Sequence, residues 1–128
     1  MKRSLLLLSV LSVFFLAGCT KNELVIPNTT VLTNINPGEW KYDNSTKTYY
    51  VNISMPEITS QVNQTDGILV SVSFGNGLYE LIPDIYNGYS FYVSHQTGVL
   101  TIEAEDQFAT TLPPSNVMQV KIVIVPSN

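Results

Sequence analysis

The side chains that could perform chemistry are few, and most lie in the second half of the chain. His95 is the only histidine, and Glu103, Glu105 and Asp106 bring three carboxylates close together in the sequence. A hydrolytic triad needs a nucleophile, a base and an orienting acid. His95 instead lies in Ser94-His95-Gln96-Thr97-Gly98, a polar run typical of an exposed turn. We therefore expect no catalytic residue and no enzymatic activity.

Metal and cofactor sites have equally little support in the sequence. Glu103 and Glu105 alternate on one face of a predicted strand, so they could bind calcium or act as the acid and base of a glycosidase. They lack the spacing of a calcium loop, and a solvated strand face is the simpler interpretation. Zinc needs three or four histidine, cysteine or carboxylate ligands, whereas the chain has one histidine and one cysteine. The sequence predicts no metal and no cofactor.

Aromatic side chains are the stronger candidates for function. Tyr50 and Tyr92 fall on strand faces opposite the predicted core, whereas Trp40, Tyr42 and Tyr86 lie near predicted turns. Rings with polar tips are frequent at binding surfaces, including those that stack on sugars. The alternative is that these rings pack between sheets or pair across strands. We take the five residues as a candidate binding surface for a glycan or a protein partner.

The N-terminus has the pattern of an export signal. Lys2 and Arg3 precede an uncharged apolar run over residues 5–16, which ends in Leu16-Ala17-Gly18-Cys19. A transmembrane helix needs roughly 20 apolar residues, so this run is too short to span a bilayer. It predicts a signal peptide over residues 1–18, cleaved before the mature protein folds.

The sequence Leu16-Ala17-Gly18-Cys19 resembles the lipobox of bacterial lipoproteins. In that family the cysteine thiol receives diacylglycerol, the chain is cut before the cysteine, and the new N-terminus is usually acylated. The resemblance implies cleavage between Gly18 and Cys19 and a membrane anchor on Cys19, since two or three acyl chains hold a protein stably where one does not. The alternative is an ordinary secretory peptide with an incidental cysteine.

The remaining chain is long enough for one domain, which we place at residues 29–128 behind a lipidated tether over residues 19–28. Ten acidic side chains against six basic ones give a net charge of −4, which discourages binding to nucleic acid. After the leader, Ala104 and Ala109 are the only alanines, whereas β-branched and aromatic residues are abundant. The composition therefore favours an all-β fold.

Apolar residues alternate along the domain, which predicts about seven to eight strands. Turns are predicted at Asp43-Asn44-Ser45-Thr46, at Asn87-Gly88, at Gln96-Thr97-Gly98 and as a tight hairpin at Gly75-Asn76-Gly77, with a returning strand over 79–82. The main core-facing sets are Tyr49, Val51, Ile53 and Met55; Ile68, Val70, Val72 and Phe74; Leu100, Ile102 and Ala104; and Met118, Val120, Ile122 and Ile124.

Two irregular segments decide between the possible β architectures. Pro56-Glu57-Ile58-Thr59 breaks a strand, and the spacing of Ile58 and Val62 predicts one helical turn. Pro113-Pro114 interrupts the chain again before the last strand, because prolines cannot continue a ladder. Both segments suit strands that switch sheets. We predict an antiparallel β-sandwich, immunoglobulin-like or similar, with a small β-barrel as the alternative.

The domain as a whole is similar to small lipoproteins of the Bacteroidota that carry a compact β domain. The similarity rests on Trp40, Tyr49-Tyr50, Pro56-Glu57-Ile58-Thr59, the Gly98 turn and the final apolar strand that ends at Pro126. It covers most of the chain from about Trp40 onward. It implies a lipid-anchored β domain of the cell envelope, on the outer membrane, with no catalytic residues to carry over.

The side of the membrane on which the domain lies is left open. In the same bacteria, acidic residues shortly after the lipidated cysteine tend to mark export to the outer cell face. Here Thr20-Lys21-Asn22-Glu23 carries one acid and one base. The sequence therefore predicts a noncatalytic module that binds a glycan or protein partner, either in the periplasm or at the surface. The alternative is an envelope assembly component that pairs through an edge strand.

Overall fold

The computed structural model describes residues 25–109 and 112–127. The predicted signal peptide, the Leu16-Ala17-Gly18-Cys19 lipobox and the first part of the tether lie outside the described residues. The described part is almost entirely β structure, with one short helix and one turn of 3-10 helix at Pro37–Glu39. The elements are β1 (Thr29–Ile35), β2 (Lys41–Asp43), β3 (Thr48–Met55), α1 (Ser60–Thr65), β4 (Gly67–Ser73), β5 (Glu80–Leu81), β6 (Asp84–Tyr86), β7 (Tyr89–Gln96), β8 (Gly98–Asp106) and β9 (Met118–Val125).

These strands form two antiparallel sheets that enclose one core. The four-stranded sheet has the order β1-β9-β4-β5, and the five-stranded sheet has the order β2-β3-β8-β7-β6. The predicted antiparallel β-sandwich is therefore confirmed. The strand count rises to nine because β2, β5 and β6 are only two or three residues long, and such short strands leave a weak alternation signal.

The core follows from period-two alternation, which sends every second side chain between the sheets. Ile122 on β9 lies opposite Val31 of β1 and Val70 of β4, so a row of apolar side chains crosses the four-stranded sheet. From the other sheet, Leu100 and Ile102 are completely buried. The predicted core sets on β3, β4, β8 and β9 are all found on the inner faces.

The chain changes sheets four times, and the crossover from β3 to β4 contains the predicted helical turn. The chain leaves β3 at Met55, buries Ile58 and enters α1, which is capped where the Thr59 hydroxyl accepts a hydrogen bond from the Val62 N–H (3.2 Å). The Ile58 carbonyl accepts a hydrogen bond from the Gly98 N–H (2.8 Å). This contact fixes the crossover to the turn between β7 and β8.

The last crossover carries the chain from β8, which ends at Asp106, to β9, which begins at Met118. It contains Pro113 and Pro114, as predicted, and Pro114 is buried. Both proline-containing segments therefore join one sheet to the other. The loop ends beside the point where β4 ends, because Ser73 lies opposite Gln119.

The glycine turns differ from one another. Asn87 and Gly88 have φ of 51° and 82° and form the predicted two-residue turn between β6 and β7. The predicted hairpin at Gly75-Asn76-Gly77 is present, since β4 pairs antiparallel with β5 and both glycines have positive φ, but residues 74–79 make its connection longer than a tight turn. The Asn76 side chain accepts the Leu78 N–H (3.0 Å), and the Tyr79 ring leaves the ladder to lie 4.3 Å from Lys121 Nζ.

Candidate functional site

An open cleft lies at one end of the sandwich, where strands of both sheets finish. Phe74 directly follows β4, Tyr86 ends β6, and Tyr89 begins β7 on the other side of the Asn87-Gly88 turn. The cleft has a volume of about 230 Å³. We call it the end cleft; it is lined by Phe74, Tyr86, Asn87, Tyr89, Phe91, Pro114, Ser115 and Asn116.

The aromatic rings of the end cleft are fixed by contacts with one another. Phe74 and Tyr86 stack with centroids 3.9 Å apart and ring planes only 5° from parallel. Behind them Phe91 is fully buried, 5.8 Å from Phe74 and 6.2 Å from Tyr89, at tilted angles. Tilted and stacked aromatic pairs gain energy beyond the area they bury. The cleft wall is therefore a preformed aromatic surface.

The rim of the end cleft is polar and uncharged. Asn87, Ser115 and Asn116 are exposed and lie around the opening. They offer amide and hydroxyl groups, each able to donate and accept hydrogen bonds. Its lining includes no charged side chain. An aromatic wall with an amide and hydroxyl rim suits an uncharged polar ligand better than an ion.

The loop over residues 107–117 is held against the cleft by Tyr89. The Tyr89 hydroxyl donates a hydrogen bond to the Leu112 carbonyl (2.7 Å), and buried Pro114 packs into the cleft wall. On the opposite side of this loop, the Phe108 ring lies over Gly88, and the Gln107 N–H donates to the Gly88 carbonyl (2.9 Å). The segment that carries Ser115 and Asn116 is therefore held at its start by Gly88 and in its middle by Tyr89.

A second cavity of about 380 Å³ lies beside the end cleft and is lined by Tyr42, Lys47, Tyr49, Glu105, Asp106 and Ala109. The rings of Tyr42 and Tyr49 are 4.9 Å apart. Burial raises the pKa of Tyr49, and Tyr42 and Asp106 raise it further. Burial likewise raises the pKa of Tyr89, with added contributions from Asp106 and Tyr49. Tyr89, in the wall of the end cleft, lies opposite Asp106, which lines the second cavity.

The five aromatic residues selected from the sequence lie in three different places. Trp40 is 8% exposed, with its ring 6.3 Å from Phe91, so it belongs to the core beneath the end cleft. Its indole Nε1 is buried without a hydrogen-bond partner. Tyr86 lines the end cleft and Tyr42 lines the second cavity. Three of the five thus lie at the same end of the sandwich.

The other two lie on the outer face of the five-stranded sheet. Tyr50 and Tyr92 flank Glu103 on neighbouring strands, and Lys41 lies opposite Tyr50 at the sheet edge. The Tyr92 hydroxyl donates to Glu105 Oε2 (3.3 Å). This row is separated from the end cleft by the sheet itself, so the five aromatic residues do not form one continuous surface.

The residues examined for catalysis lie outside the end cleft, although Glu105 and Asp106 line the second cavity. His95 is exposed at the end of β7, and its Nδ1 lies 2.8 Å from Asn63 Oδ1 of α1. Glu103 and Glu105 share the outer face of β8, whereas Asp106 points to the core side. Within residues 25–109 and 112–127, no three histidine, cysteine, aspartate or glutamate side chains are grouped closely enough to hold a metal ion.

Sequence reasoning missed Phe74 and Tyr89 as site residues. Both have core-facing parity, and both directly border a turn, Phe74 before Gly75 and Tyr89 after Gly88. An inward-facing ring at either end of a strand, next to a turn, lies at the mouth of the sandwich, and that position is the signal that could have identified them. No sequence signal indicates that Ser115 and Asn116 line the end cleft, because the conformation of a loop does not follow from the alternation of apolar residues.

Comparison with known proteins adds no relative. No family model, no curated protein and no solved structure matches the chain. In the parts of the chain that the structure describes, no helix is long and apolar enough to cross a membrane.

Proposed function

We propose that this protein is a lipid-anchored, noncatalytic binding module of the bacterial cell envelope, and that its end cleft holds an uncharged glycan. The observation that carries the proposal is the stacked Phe74–Tyr86 pair in the wall of an open cleft whose rim is amide and hydroxyl. Sugar rings present C–H faces to aromatic surfaces and hydroxyl groups to polar rims. The end cleft offers both kinds of surface within one cavity.

The size and charge of the cleft indicate which glycans fit best. A cavity of about 230 Å³ accepts one or two sugar rings and leaves the rest of a chain in solvent. The absence of charged side chains in this lining favours neutral sugars over uronic or sialic acids, since it supplies no cation for a carboxylate. We therefore expect weak binding of a short neutral segment within a longer glycan.

Binding without catalysis is proposed because the lining of the end cleft holds neither a carboxylate nor a histidine. Glycoside hydrolysis canonically uses two carboxyl groups on either side of the scissile bond. Glu103 and Glu105 lie on the outer face of β8 instead, and Glu105 and Asp106 line the second cavity and not the end cleft.

The anchor and the location remain predictions from the sequence, on which the proposal depends. The lipobox ending at Cys19 supports lipidation and an outer-membrane anchor, with the periplasmic and surface faces both open. Protease treatment of intact cells that express the full chain separates the two faces, with Cys19→Ala as the anchor control. Lipid-dependent cleavage from intact cells indicates the surface. Resistance until the outer envelope is opened indicates the periplasm.

The binding proposal is tested by screening the detergent-solubilised full chain against neutral and acidic glycans on one array. We expect neutral glycans to bind and their uronic acid counterparts to bind less. An array on which no neutral glycan binds above the level of the acidic ones contradicts the proposal.

A second candidate function, assembly through edge-strand pairing, is favoured by one observation. β1 lies at the edge of the four-stranded sheet and consists of seven residues with no charged side chain. Long edges without charge or proline present unpaired N–H and C=O groups that another strand can use. In this alternative the protein joins an envelope assembly by adding a strand to its partner's sheet.

A further inference from the structure

The edge of the four-stranded sheet at β1 differs from the other sheet edges. β1 pairs with β9 alone and has the sequence TTVLTNI. The other edge strands of the described sheets, β2, β5 and β6, are two or three residues long, and each carries a charged side chain. Short length and charge are the usual means of blocking edge-to-edge pairing. Three edges are therefore protected and β1 is not.

The sequence of β1 is complementary to itself in an antiparallel arrangement. When two copies are centred on Leu32, that residue faces its own counterpart, Thr30 faces Asn34, Val31 faces Thr33 and Thr29 faces Ile35. Each pair joins residues of the same parity, so inner faces continue into inner faces and the hydrogen-bonding positions coincide. Polar residues meet polar residues on the outer face, and no like charges are placed opposite each other.

The surroundings of β1 also fit a second copy of an acidic protein. The only charged residues in the strands of the four-stranded sheet are Lys121 and Glu80. Glu80 lies on β5, at the far edge, and Lys121 lies one strand from Leu32. In the pairing centred on Leu32 the two Lys121 side chains are separated by three strand spacings, about 14 Å, beyond the screening length in physiological salt. The charged side chains of the four-stranded sheet therefore do not oppose this pairing.

We propose that β1 pairs with β1 of a second copy of this chain, antiparallel and centred on Leu32. This inference rests on the edge-pairing candidate of the proposed function and names its partner. The two four-stranded sheets become one eight-stranded sheet, and the Leu32 side chains, each 66% exposed in the single chain, cover one another. A two-fold arrangement uses the same edge of both copies and closes, so it ends at a dimer instead of a filament.

The test is cross-linking of the full chain in the cells that express it. Leu32→Cys places two thiols on facing positions, about 5 Å apart between Cβ atoms, which a short bifunctional thiol reagent bridges. The matched control is Leu69→Cys, which lies on the same outer face, is similarly exposed, and lies on β4 away from the seam. The unaltered chain reports any reaction of Cys19.

We expect covalent homodimer from Leu32→Cys in at least about fivefold excess over Leu69→Cys and the unaltered chain. The register is checked independently with Thr30→Cys/Asn34→Cys, which should cross-link, and with Thr30→Cys alone, which should not. Adding Leu32→Lys to that double variant should reduce its cross-linking, since two ammonium groups then face each other. Equal cross-linking from Leu32→Cys and Leu69→Cys, with none from Thr30→Cys/Asn34→Cys, overturns the inference.

A photoreactive residue at position 32 distinguishes failure of the second-copy inference from failure of the edge-pairing candidate function. An adduct with a different protein and no homodimer overturns the second-copy inference and leaves edge pairing intact. No adduct of either kind overturns both. Glycan binding at the end cleft is measured separately and does not depend on either result.

Discussion

The rings of Phe74 and Tyr86 stack 3.9 Å apart and join the two sheets of the sandwich at its open end. Phe74 comes from the end of β4 in one sheet, and Tyr86 comes from β6 in the other. The two residues belong to strands that are not paired with each other, so their contact forms only when the two sheets pack together. The same pair forms part of the wall of the end cleft, so we expect stability and the proposed glycan binding to depend on one contact.

Phe74→Ala should lower the free energy of unfolding by about 2–3 kcal/mol, somewhat less than truncation of a fully buried phenylalanine. The reason is the loss of ring contacts with Tyr86 and Phe91 together with apolar burial. Chemical denaturation followed by circular dichroism measures the change. Ile85→Ala on neighbouring β6 is the control, because that side chain is largely exposed, and it should change stability by less than about 0.5 kcal/mol. Equal effects of the two variants contradict the role assigned to the stack.

Tyr89→Phe should loosen the loop that borders the end cleft. It removes the hydrogen bond from the Tyr89 hydroxyl to the Leu112 carbonyl, for which we expect a loss of about 0.5–1.5 kcal/mol. Amide hydrogen exchange at Leu112, Ser115 and Asn116 should become faster. Tyr92→Phe removes a hydroxyl that bonds to Glu105 on the outer sheet face and should leave exchange in that loop unchanged. Unchanged exchange in Tyr89→Phe would show that other contacts hold the loop.

Gly88→Ala should destabilise the domain by about 1–3 kcal/mol for two separable reasons. Gly88 has φ of +82°, and an added Cβ would lie 2.4 Å from Cε2 of Phe108. Combining Gly88→Ala with Phe108→Ala should recover the part of the loss caused by the collision and leave the part caused by the backbone conformation. Thermal unfolding of the single and double variants gives the two contributions.

The control for this pair is Gly38→Ala, because a Cβ at Gly38 meets no atom within 4 Å. Its stability should change by less than about 0.5 kcal/mol. A Gly88→Ala variant as stable as Gly38→Ala is incompatible with the described turn.

Asp43, in the turn between β2 and β3, should make the stability of the fold depend on pH. Hydrogen bonds from the Ser45 hydroxyl and the Ser45 N–H to Asp43 Oδ1 hold the pKa of Asp43 below its usual value of 3.8. A carboxyl group whose pKa is lower in the folded state stabilises the fold above its unfolded pKa, and this stabilisation is lost as the pH falls through the folded pKa. The advantage of the unaltered chain over Asp43→Asn should therefore shrink on acidification below about pH 4.

An NMR titration of the Asp43 carboxyl carbon checks the cause directly. Ser45→Ala removes the hydroxyl donor, so the pKa of Asp43 should rise toward its usual value in that variant. An unchanged Asp43 titration in Ser45→Ala would show that the side-chain hydrogen bond is not what lowers the pKa.

The sandwich could be predicted from the sequence because its inner faces follow strict alternation. Met118, Val120 and Ile122 on β9 illustrate this, since all three are completely buried. Sheet order could not be predicted, because β9 lies between β1 and β4 through pairings between residues distant in sequence. Alternation specifies a face of a strand and carries no information about which strand becomes its neighbour.

The candidate site was only partly predictable for a related reason. Tyr86 was selected from its position near a turn, whereas its stacking partner Phe74 was assigned to the core. The core assignment of Phe74 is correct in that its ring points inward. Whether an inward-pointing ring is covered or lines an opening depends on where the facing sheet ends. Trp40 shows the reverse case, because a ring next to a turn lies in the core when the opposite sheet extends over it.

The most direct test of the account is to block the end cleft from its exposed rim. Ser115→Trp places a large ring at the opening without altering the core, and Ser94→Trp is the matched control on the exposed outer face of β7. Affinity for a neutral glycan selected on the array, measured by isothermal titration calorimetry on the full chain, should fall at least about tenfold in Ser115→Trp and stay unchanged in Ser94→Trp. Equal affinity in both variants would contradict the assignment of the end cleft as the binding site.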